Sequence, residues 1–206
     1  MEAVRTGPIE WAVAEFVRPG QTESGDQHLA MEIPGGAIVG VIDGLGHGAE
    51  AANASKTAVR SIERHAGEPA IRLMRECHQS LVGLRGAVMS VASINATEET
   101  MTWLGVGNVE GLLLRANPAA IPSRELLLLR AGVVGVHLPA LTGSIVPITR
   151  GDTLIFATDG IRSEFLDEIR AHRETPPTLA DRILRRYGRG TDDALVLVVR
   201  YLGLES

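Results

Sequence analysis

The sequence predicts an α+β fold in which antiparallel sheets pack on each other and helices cover them. Two helical segments lie inside a long series of short apolar strands, and two more helices precede a last strand. Polar or glycine-containing segments between several of the strands are typical of hairpin connections. A doubly wound sheet would instead alternate strands and helices along the whole chain.

The first half of the chain contains three predicted strands followed by two predicted helices. Residues 11–17 alternate well enough for a strand and end at the turn Arg18-Pro19-Gly20. Residues 28–33 and 37–42 are predicted to be strands joined at Pro34-Gly35-Gly36. Apolar residues then recur at helical spacing over residues 49–65, before Gly67, and again over residues 69–84.

The second half of the chain is dominated by predicted strands. They cover residues 87–94, 101–106, 109–115, 125–130, 153–158 and 194–202, and the last is an aliphatic run typical of a central strand. Helices are predicted over residues 162–172 and 178–187. The chain shows no internal repeat, low-complexity segment or linker, so we expect residues 1–206 to form a single domain.

The composition restricts the partners that we expect. With 45% hydrophobic and 22% charged residues, a chain of 206 residues can bury a full core. Only 3% of the residues are aromatic, and the net charge is −5. A nucleic-acid partner would require a basic surface, and base stacking would require aromatic side chains. We therefore expect no nucleic-acid partner.

The cysteine content and the hydropathy pattern favour a cytoplasmic protein. Cys77 is the only cysteine, so neither an internal disulfide nor a cysteine-based zinc site can form. Residues 1–10 lack the apolar core of a signal peptide. The longest aliphatic runs, such as residues 194–199, are far shorter than the roughly 20 residues of a membrane span. We expect no membrane partner.

Aspartates lie at the ends of three predicted buried strands. Asp43 follows residues 37–42, Asp159 follows residues 154–158, and Asp192 and Asp193 precede residues 194–199. A single Asp-Gly pair more often marks a hairpin turn than a functional site. Carboxylates that converge at one rim, however, repel one another by about 1 to 4 kcal/mol per pair. A hard divalent cation such as Mg²⁺ or Mn²⁺ would relieve that repulsion.

A glycine-rich segment, Gly44-Leu-Gly46-His-Gly48, follows the first of these aspartates. Glycine lets backbone carbonyls and amides approach a ligand closely, so the carbonyl of Gly44 is a candidate hard ligand. The segment has neither the lysine of a Walker loop nor the spacing of a dinucleotide site. Taken alone, it is also consistent with simple turn geometry.

Five short motifs occur in order over most of the chain: Ser24-Gly-Asp26, Val41-Ile-Asp43-Gly44-Leu-Gly46-His-Gly48, Gly105-Val-Gly107-Asn108, Ala157-Thr-Asp159-Gly160 and Gly190-Thr-Asp192-Asp193. Together they resemble the 2C-type (PPM) metal-dependent Ser/Thr protein phosphatases, in particular the bacterial branch related to the sporulation phosphatase SpoIIE. The resemblance implies an αββα sandwich of two mainly antiparallel sheets flanked by helices. It also implies a site for two divalent cations, Mn²⁺ or Mg²⁺, at one rim.

The resemblance assigns the central ligands by position. Asp43 would bridge both ions and Gly44 would offer its carbonyl, while Asp159 and Asp192 would complete the coordination of one metal. In this family a water held between the ions loses a proton and attacks phosphorus, so Asp43, Asp159 and Asp192 carry the catalysis without a protein nucleophile.

The remaining candidates are less well defined by the resemblance. Asp26 would be a nearby or water-mediated acid, and Asp193 a neighbour with no assigned role. Gly25 stands where the eukaryotic branch has a metal-binding acid, so the second ion would have fewer protein ligands. Leu45 replaces the histidine of the eukaryotic branch, and His47 is either a general acid or a polar residue of the glycine turn.

The resemblance implies a phosphatase for phosphoserine or phosphothreonine on a bacterial regulatory protein. Because related bacterial enzymes act on small regulatory proteins that control sigma factors, the expected partner is a stressosome scaffold or a STAS-type protein. The catalytic motifs fill the chain, so we expect none of the sensor domains of multidomain relatives. Arg18 is the nearest candidate for a phosphate-binding arginine, or is simply solvated. Two other functions stay open: a non-catalytic binding module on the same fold, and a hydrolase of a small phosphate ester.

Overall fold

The computed structural model describes residues 2–170 and 174–204. Within these ranges the strands and helices follow one another as β1 (Val4–Thr6), β2 (Ile9–Phe16), β3 (Asp26–Ile33), β4 (Gly36–Gly44), α1 (Ala49–Arg64), α2 (Ala70–Ser80), β5 (Ala87–Asn95), β6 (Thr100–Val106), β7 (Glu110–Leu114), β8 (Arg124–Leu126), β9 (Leu129–Arg130), β10 (Ser144–Pro147), β11 (Thr153–Ala157), α3 (Phe165–Glu168), α4 (Pro176–Tyr187) and β12 (Ala194–Tyr201).

The strands form two sheets. The first sheet has the order β1-β2-β12-β11-β7-β8, and every neighbouring pair is antiparallel. The second has the order β10-β6-β5-β4-β3, also antiparallel, and the short β9 pairs with β6 in parallel. The predicted antiparallel sheets are confirmed.

Three apolar layers hold the sheets and helices together. Along β12, Leu195, Leu197 and Val199 point into the core between the two sheets, whereas Val196 and Val198 point toward α3 and α4. The outer face of the second sheet packs against α1 and α2 in the same way. Because side chains alternate across a strand, each central strand contributes to two layers. The result is the predicted αββα sandwich.

Several boundaries differ from the prediction. The single strand predicted over residues 125–130 is wrong, because β8 joins the first sheet and β9 joins the second. The helix predicted over 162–172 is reduced to α3 (Phe165–Glu168), although residues 171–172 lie outside the described residues. The helix predicted over 69–84 ends at Ser80. Strands β1 and β10 were not predicted.

The sandwich brings several strand ends to one rim. The start of β3 lies beside the end of β4, and the end of β11 lies beside the start of β12. Contacts between β3 and β12 and between β4 and β11 join these two pairs across the sheets. In residues 2–170 and 174–204, no helix is long and apolar enough to cross a membrane.

Candidate metal centre

A cavity of about 250 Å³ opens at this rim. Its lining contains all the aspartates that the sequence singled out, namely Asp26, Asp43, Asp159, Asp192 and Asp193. His47 also lines the cavity. Gly44 is not among the described lining residues, although Asp43 and Leu45 on either side of it are. The two sheets therefore bring the predicted carboxylates together from four different chain segments.

Asp26, which is buried, and Asp43, which is half-buried, form the centre of the cavity. They stand directly opposite each other at the ends of β3 and β4, and Asp26 is only 3% exposed. Burial raises the pKa of both carboxyl groups above the ordinary value. Repulsion from the other aspartates of the cavity raises the pKa of each further. Two carboxylates in this setting cannot both be charged without a compensating positive charge.

Asp159 lies on the opposite wall, in the loop that follows β11. Its Oδ2 accepts a hydrogen bond of 2.9 Å from Asn108 Nδ2, and its main-chain carbonyl accepts one of 2.8 Å from Arg189 Nε. The side chain is exposed at the cavity mouth. Asp159 is thus oriented by its neighbours while its carboxylate stays accessible.

Asp192 and Asp193 differ in their surroundings. Asp193 is 6% exposed, and its two carboxylate oxygens accept 2.8 Å hydrogen bonds from the backbone amides of Arg18 and Gly25. The side chain of Asp192 is 50% exposed, and its Oδ1 lies 3.7 Å from the Arg18 guanidinium. Asp193 therefore fixes the segment before β3, whereas Asp192 is left open to the cavity.

Two glycines allow the strand ends to approach so closely. A Cβ at Gly44 would overlap the backbone carbonyl of Ala51, in the first turn of α1. A Cβ at Gly160 would overlap the backbone carbonyl of Asp193. Both glycines thus serve close packing of backbone against backbone. Asp43-Gly44 ends β4, whereas Asp159-Gly160 also forms the centre of a tight turn, in which the Ile161 amide donates a 3.0 Å hydrogen bond to the Thr158 carbonyl.

Arg18 and His47 flank the mouth of the cavity. Arg18 lies in the segment held by Asp193, and its guanidinium faces Asp192. His47 is exposed in the glycine-rich segment, with Nδ1 3.3 Å from Gln21 Nε2. Neither side chain is buried, so both can contact a molecule that enters the cavity.

The single cysteine lies elsewhere and is chemically inert. Cys77 is buried in α2, where its Sγ contacts the carbonyl of Ala58. Burial raises the pKa of the Cys77 thiol to about 12. A thiolate nucleophile is therefore not available at neutral pH.

Comparison with known proteins agrees with this geometry. Residues 34–202 match the family described as Stage II sporulation protein E (SpoIIE). The chain belongs to the SpoIIE family. The match covers most of the chain and contains Asp43 at the end of β4, Asp159 in the loop after β11 and Asp192 in the segment before β12.

Two relatives illustrate the SpoIIE-family likeness. The phosphoserine phosphatase RsbX of Bacillus subtilis (strain 168) is 31% identical over 106 residues, which are 51% of this chain and 53% of RsbX. The chain therefore spans about half the length of this relative. The second relative is a solved structure from work on the bacterial stressosome, described there as a modular system that has been adapted to control secondary messenger signaling. Its TM-score is 0.84 at 28% identity, and the match covers 93% of this chain and 99% of that chain.

A crystal structure of RsbX in complex with magnesium shares the fold. Its TM-score is 0.84 at 21% identity, and the match covers 97% of this chain and 98% of RsbX. The serine/threonine phosphatase PstP/Ppp of Mycobacterium tuberculosis also shares it, with a TM-score of 0.73 at 15% identity over 94% of this chain and 99% of that one. The predicted PPM-type fold is confirmed.

The donor set of the SpoIIE-family cavity fits hard divalent cations. All five aspartates offer oxygen, and the opposed pair Asp26 and Asp43 is destabilised without positive charge. Within the described residues, no three His, Cys, Asp or Glu side chains are gathered so that they could hold an ion by themselves. Mg²⁺ commonly binds through one or two carboxylates and keeps several waters, which suits this open arrangement.

Two residues of the site received no role from the sequence. Asn108 and Thr158 lie inside the recognised motifs, yet their contacts to Asp159 and Asp26 join segments 51 and 132 residues apart. For Arg18 the sequence indicates only its nearness to the motifs, not its contact with Asp192. The position of Asn108 and Thr158 inside these motifs indicates that they belong to the site. The sequence does not indicate which aspartate each of them contacts.

Proposed function

We propose that this chain is a metal-dependent phosphoprotein phosphatase that hydrolyses phosphoserine or phosphothreonine on a bacterial regulatory protein. The observation that carries the proposal is the convergence of five aspartates in one cavity, centred on the opposed pair Asp26 and Asp43. The SpoIIE-family membership and the likeness to RsbX support the same activity. A purely partner-binding module would gain nothing from keeping a buried and a half-buried carboxylate opposite each other at such a cost.

The cavity residues divide into holders of metal and groups at the mouth. Asp43, Asp159 and Asp192, with the carbonyl of Gly44, are proposed to hold two divalent cations, Mn²⁺ or Mg²⁺, and Asp26 to act directly or through water. Bound there, the cations would lower the pKa of a bound water and neutralise the phosphoryl oxygens. Asn108 keeps the Asp159 carboxylate oriented for this task.

The groups at the mouth are suited to the phosphate and the leaving oxygen. Arg18 presents a guanidinium that can bind phosphate oxygens, although it also faces Asp192. His47 is accessible and is the candidate for delivering a proton to the serine oxygen as it leaves. The buried Cys77 takes no part, since its thiol stays protonated.

The proposed partner is a phosphorylated stressosome scaffold or STAS-type protein. Support comes from the stressosome chain and from the phosphoserine phosphatase RsbX among the relatives. Residues 1–206 would act as a single phosphatase domain, and the substrate would be met in the cytoplasm, where the lone thiol of Cys77 stays reduced.

Phosphate release tests the proposal. The metal-free protein would be assayed on an aryl phosphate, a phosphoserine peptide and a phosphorylated STAS-type protein, before and after addition of Mn²⁺ or Mg²⁺. We expect metal-dependent release from all three, fastest from the phosphoprotein. His47→Gln should lower kcat by about 10²-fold or more on the phosphoserine substrates and less on the aryl phosphate, whose leaving group needs no proton.

Two outcomes would contradict the proposal. If no substrate releases phosphate with either metal, the chain is not a phosphatase. If the aryl phosphate alone is hydrolysed, the chain is instead a hydrolase of small phosphate esters.

A further inference from the structure

Thr158 connects the two sheets at the candidate metal centre. It follows β11 of the first sheet, is 1% exposed, and donates a 2.7 Å hydrogen bond from Oγ1 to Oδ2 of Asp26 in the second sheet. The two residues are 132 positions apart in the chain. This contact therefore forms only when the sandwich is assembled.

A second contact leaves the hydroxyl hydrogen of Thr158 available to Asp26. Thr158 Oγ1 accepts a 2.9 Å hydrogen bond from the backbone N–H of Leu195 in β12. A hydroxyl has one hydrogen to donate, and an amide N–H can only donate. The amide uses one of the two lone pairs of the hydroxyl oxygen, and the ionised carboxylate of Asp26 can only accept, so the hydroxyl hydrogen of Thr158 is donated to Asp26.

A carboxylate held in this way is oriented before any ligand arrives. Asp26 is buried, and its backbone amide is also tied, through a 3.0 Å hydrogen bond to Ser24 Oγ. One carboxylate oxygen is bonded to Thr158, so the rotation of the group is restricted while the side chain still lines the cavity. Partners of this kind commonly change metal affinity by 10- to 100-fold when they are removed.

We propose that Thr158 is a positioning residue of the metal centre, which acts through Asp26 by holding its carboxylate toward the cavity; this rests on the proposed function of the cavity as a metal site. Thr158 itself does not contact metal or substrate. A merely structural role would predict instead that Thr158 affects folding stability and leaves metal affinity unchanged.

A series of substitutions tests the proposal by calorimetric titration of the metal-free full chain with Mn²⁺ alone. Thr158→Ser keeps the hydroxyl, and we expect its Mn²⁺ affinity to stay within about threefold of wild type. Thr158→Val keeps the shape without the hydroxyl, and the affinity should fall at least tenfold. Thr158→Cys has a weaker hydrogen-bond donor, so its Mn²⁺ affinity should lie between those of the serine and valine variants. It replaces Thr158→Val in the test if the valine variant does not fold.

Thr153→Val is the matched control. Thr153 lies at the other end of β11 and is also buried, and among the described residues its side chain makes one local hydrogen bond, of 3.3 Å, from Oγ1 to the carbonyl of Gly151. Its Mn²⁺ affinity should equal that of wild type even if its melting temperature falls. Wild-type affinity in a folded Thr158→Val or Thr158→Cys variant would overturn the proposal, as would an equal loss in Thr158→Ser.

A double-mutant cycle tests whether Thr158 acts through Asp26. In an Asp26→Asn background, Thr158→Val should cause no more than a twofold further loss of Mn²⁺ affinity. A further tenfold loss would contradict action through Asp26. Failure of the proposed function would look different, because phosphate release would be absent in wild type while the affinity difference between Thr158→Ser and Thr158→Val persisted.

Discussion

At the scale of single residues, Asp192 and Asp193 are neighbours with separate tasks. Asp193 uses both carboxylate oxygens to hold the amides of Arg18 and Gly25, whereas Asp192 is half-exposed at the cavity. The sequence could not separate them, because the partners of Asp193 lie 175 and 168 residues earlier in the chain.

We expect the substitution of asparagine for aspartate to have different effects at positions 192 and 193. Asp193→Asn replaces one acceptor oxygen by a donor that faces an amide, so the free energy of unfolding should fall by about 1.5 to 3 kcal/mol. Asp192→Asn should change it by less than about 1 kcal/mol, yet lower the affinity for Mn²⁺. Chemical denaturation and metal titration of both variants provide the measurement, and equal destabilisation by the two would contradict the assignment.

We expect the substitution of Gly44 to lower both stability and Mn²⁺ affinity. In Gly44→Ala the new methyl group would overlap the carbonyl of Ala51, so β4 or α1 must shift beside Asp43. We expect a loss of about 1 to 3 kcal/mol in the free energy of unfolding and a loss of Mn²⁺ affinity. Gly67→Ala is the control, because its Cβ would meet no atom within 4 Å and stability should not fall. A Gly44→Ala variant as stable as wild type would show that the contact is not tight.

At the scale of elements, β3 and β4 place Asp26 and Asp43 in direct register. Burial, with repulsion between the carboxylates, raises the pKa of Asp26 to about 7 and that of Asp43 to about 9, from ordinary values of 3.8. Between about pH 4 and pH 9 these two carboxyl groups therefore bind more protons in the folded metal-free protein than in the unfolded chain, and the stability that they contribute decreases as pH rises through this range.

The decrease of stability with rising pH can be measured in the metal-free protein. The metal-free protein should melt at a higher temperature at pH 5 than at pH 8, and Asp43→Asn should flatten the dependence. Asp167→Asn, which removes an exposed carboxylate outside the cavity, should leave the slope unchanged. A melting temperature that rises steadily from pH 5 to pH 8 in the metal-free wild type would contradict the raised pKa values of Asp26 and Asp43.

The elements themselves were largely predictable from the sequence. Strands β2, β4, β5 and β12 are long and apolar, so their local pattern decides their structure. Residues 125–130 are a leucine-rich run that suits either sheet, and only tertiary packing assigns β8 to one and β9 to the other. The two- to four-residue strands were hard to locate because few side chains define them.

At the scale of the whole molecule, the aspartates meet only because the two sheets face each other. The order of the motifs indicated the fold and the cluster, since strand ends of one sandwich share a rim. The contacts that orient the cluster, from Thr158 to Asp26 and from Asn108 to Asp159, depend on distant segments and emerged only from the structure.

Metal binding should therefore stabilise the whole sandwich. At a Mn²⁺ concentration 100 times the dissociation constant, the gain is about 2.7 kcal/mol, or roughly 5 to 10 °C in melting temperature for a chain of this size. The gain should vanish in Asp43→Asn and persist in Asp167→Asn. Scanning calorimetry with and without Mn²⁺ is the measurement, and an equal gain in Asp43→Asn would place the metal elsewhere.

We propose that the aspartate cavity binds divalent metal ions and hydrolyses a phosphoprotein. The most direct test of this proposal is the rate of phosphate release from a phosphoserine substrate by metal-free protein to which Mn²⁺ is returned, compared between wild type and Asp43→Asn. We predict that release depends on Mn²⁺ in wild type and falls by at least about 10³-fold in Asp43→Asn. Equal release by the two proteins would contradict the account.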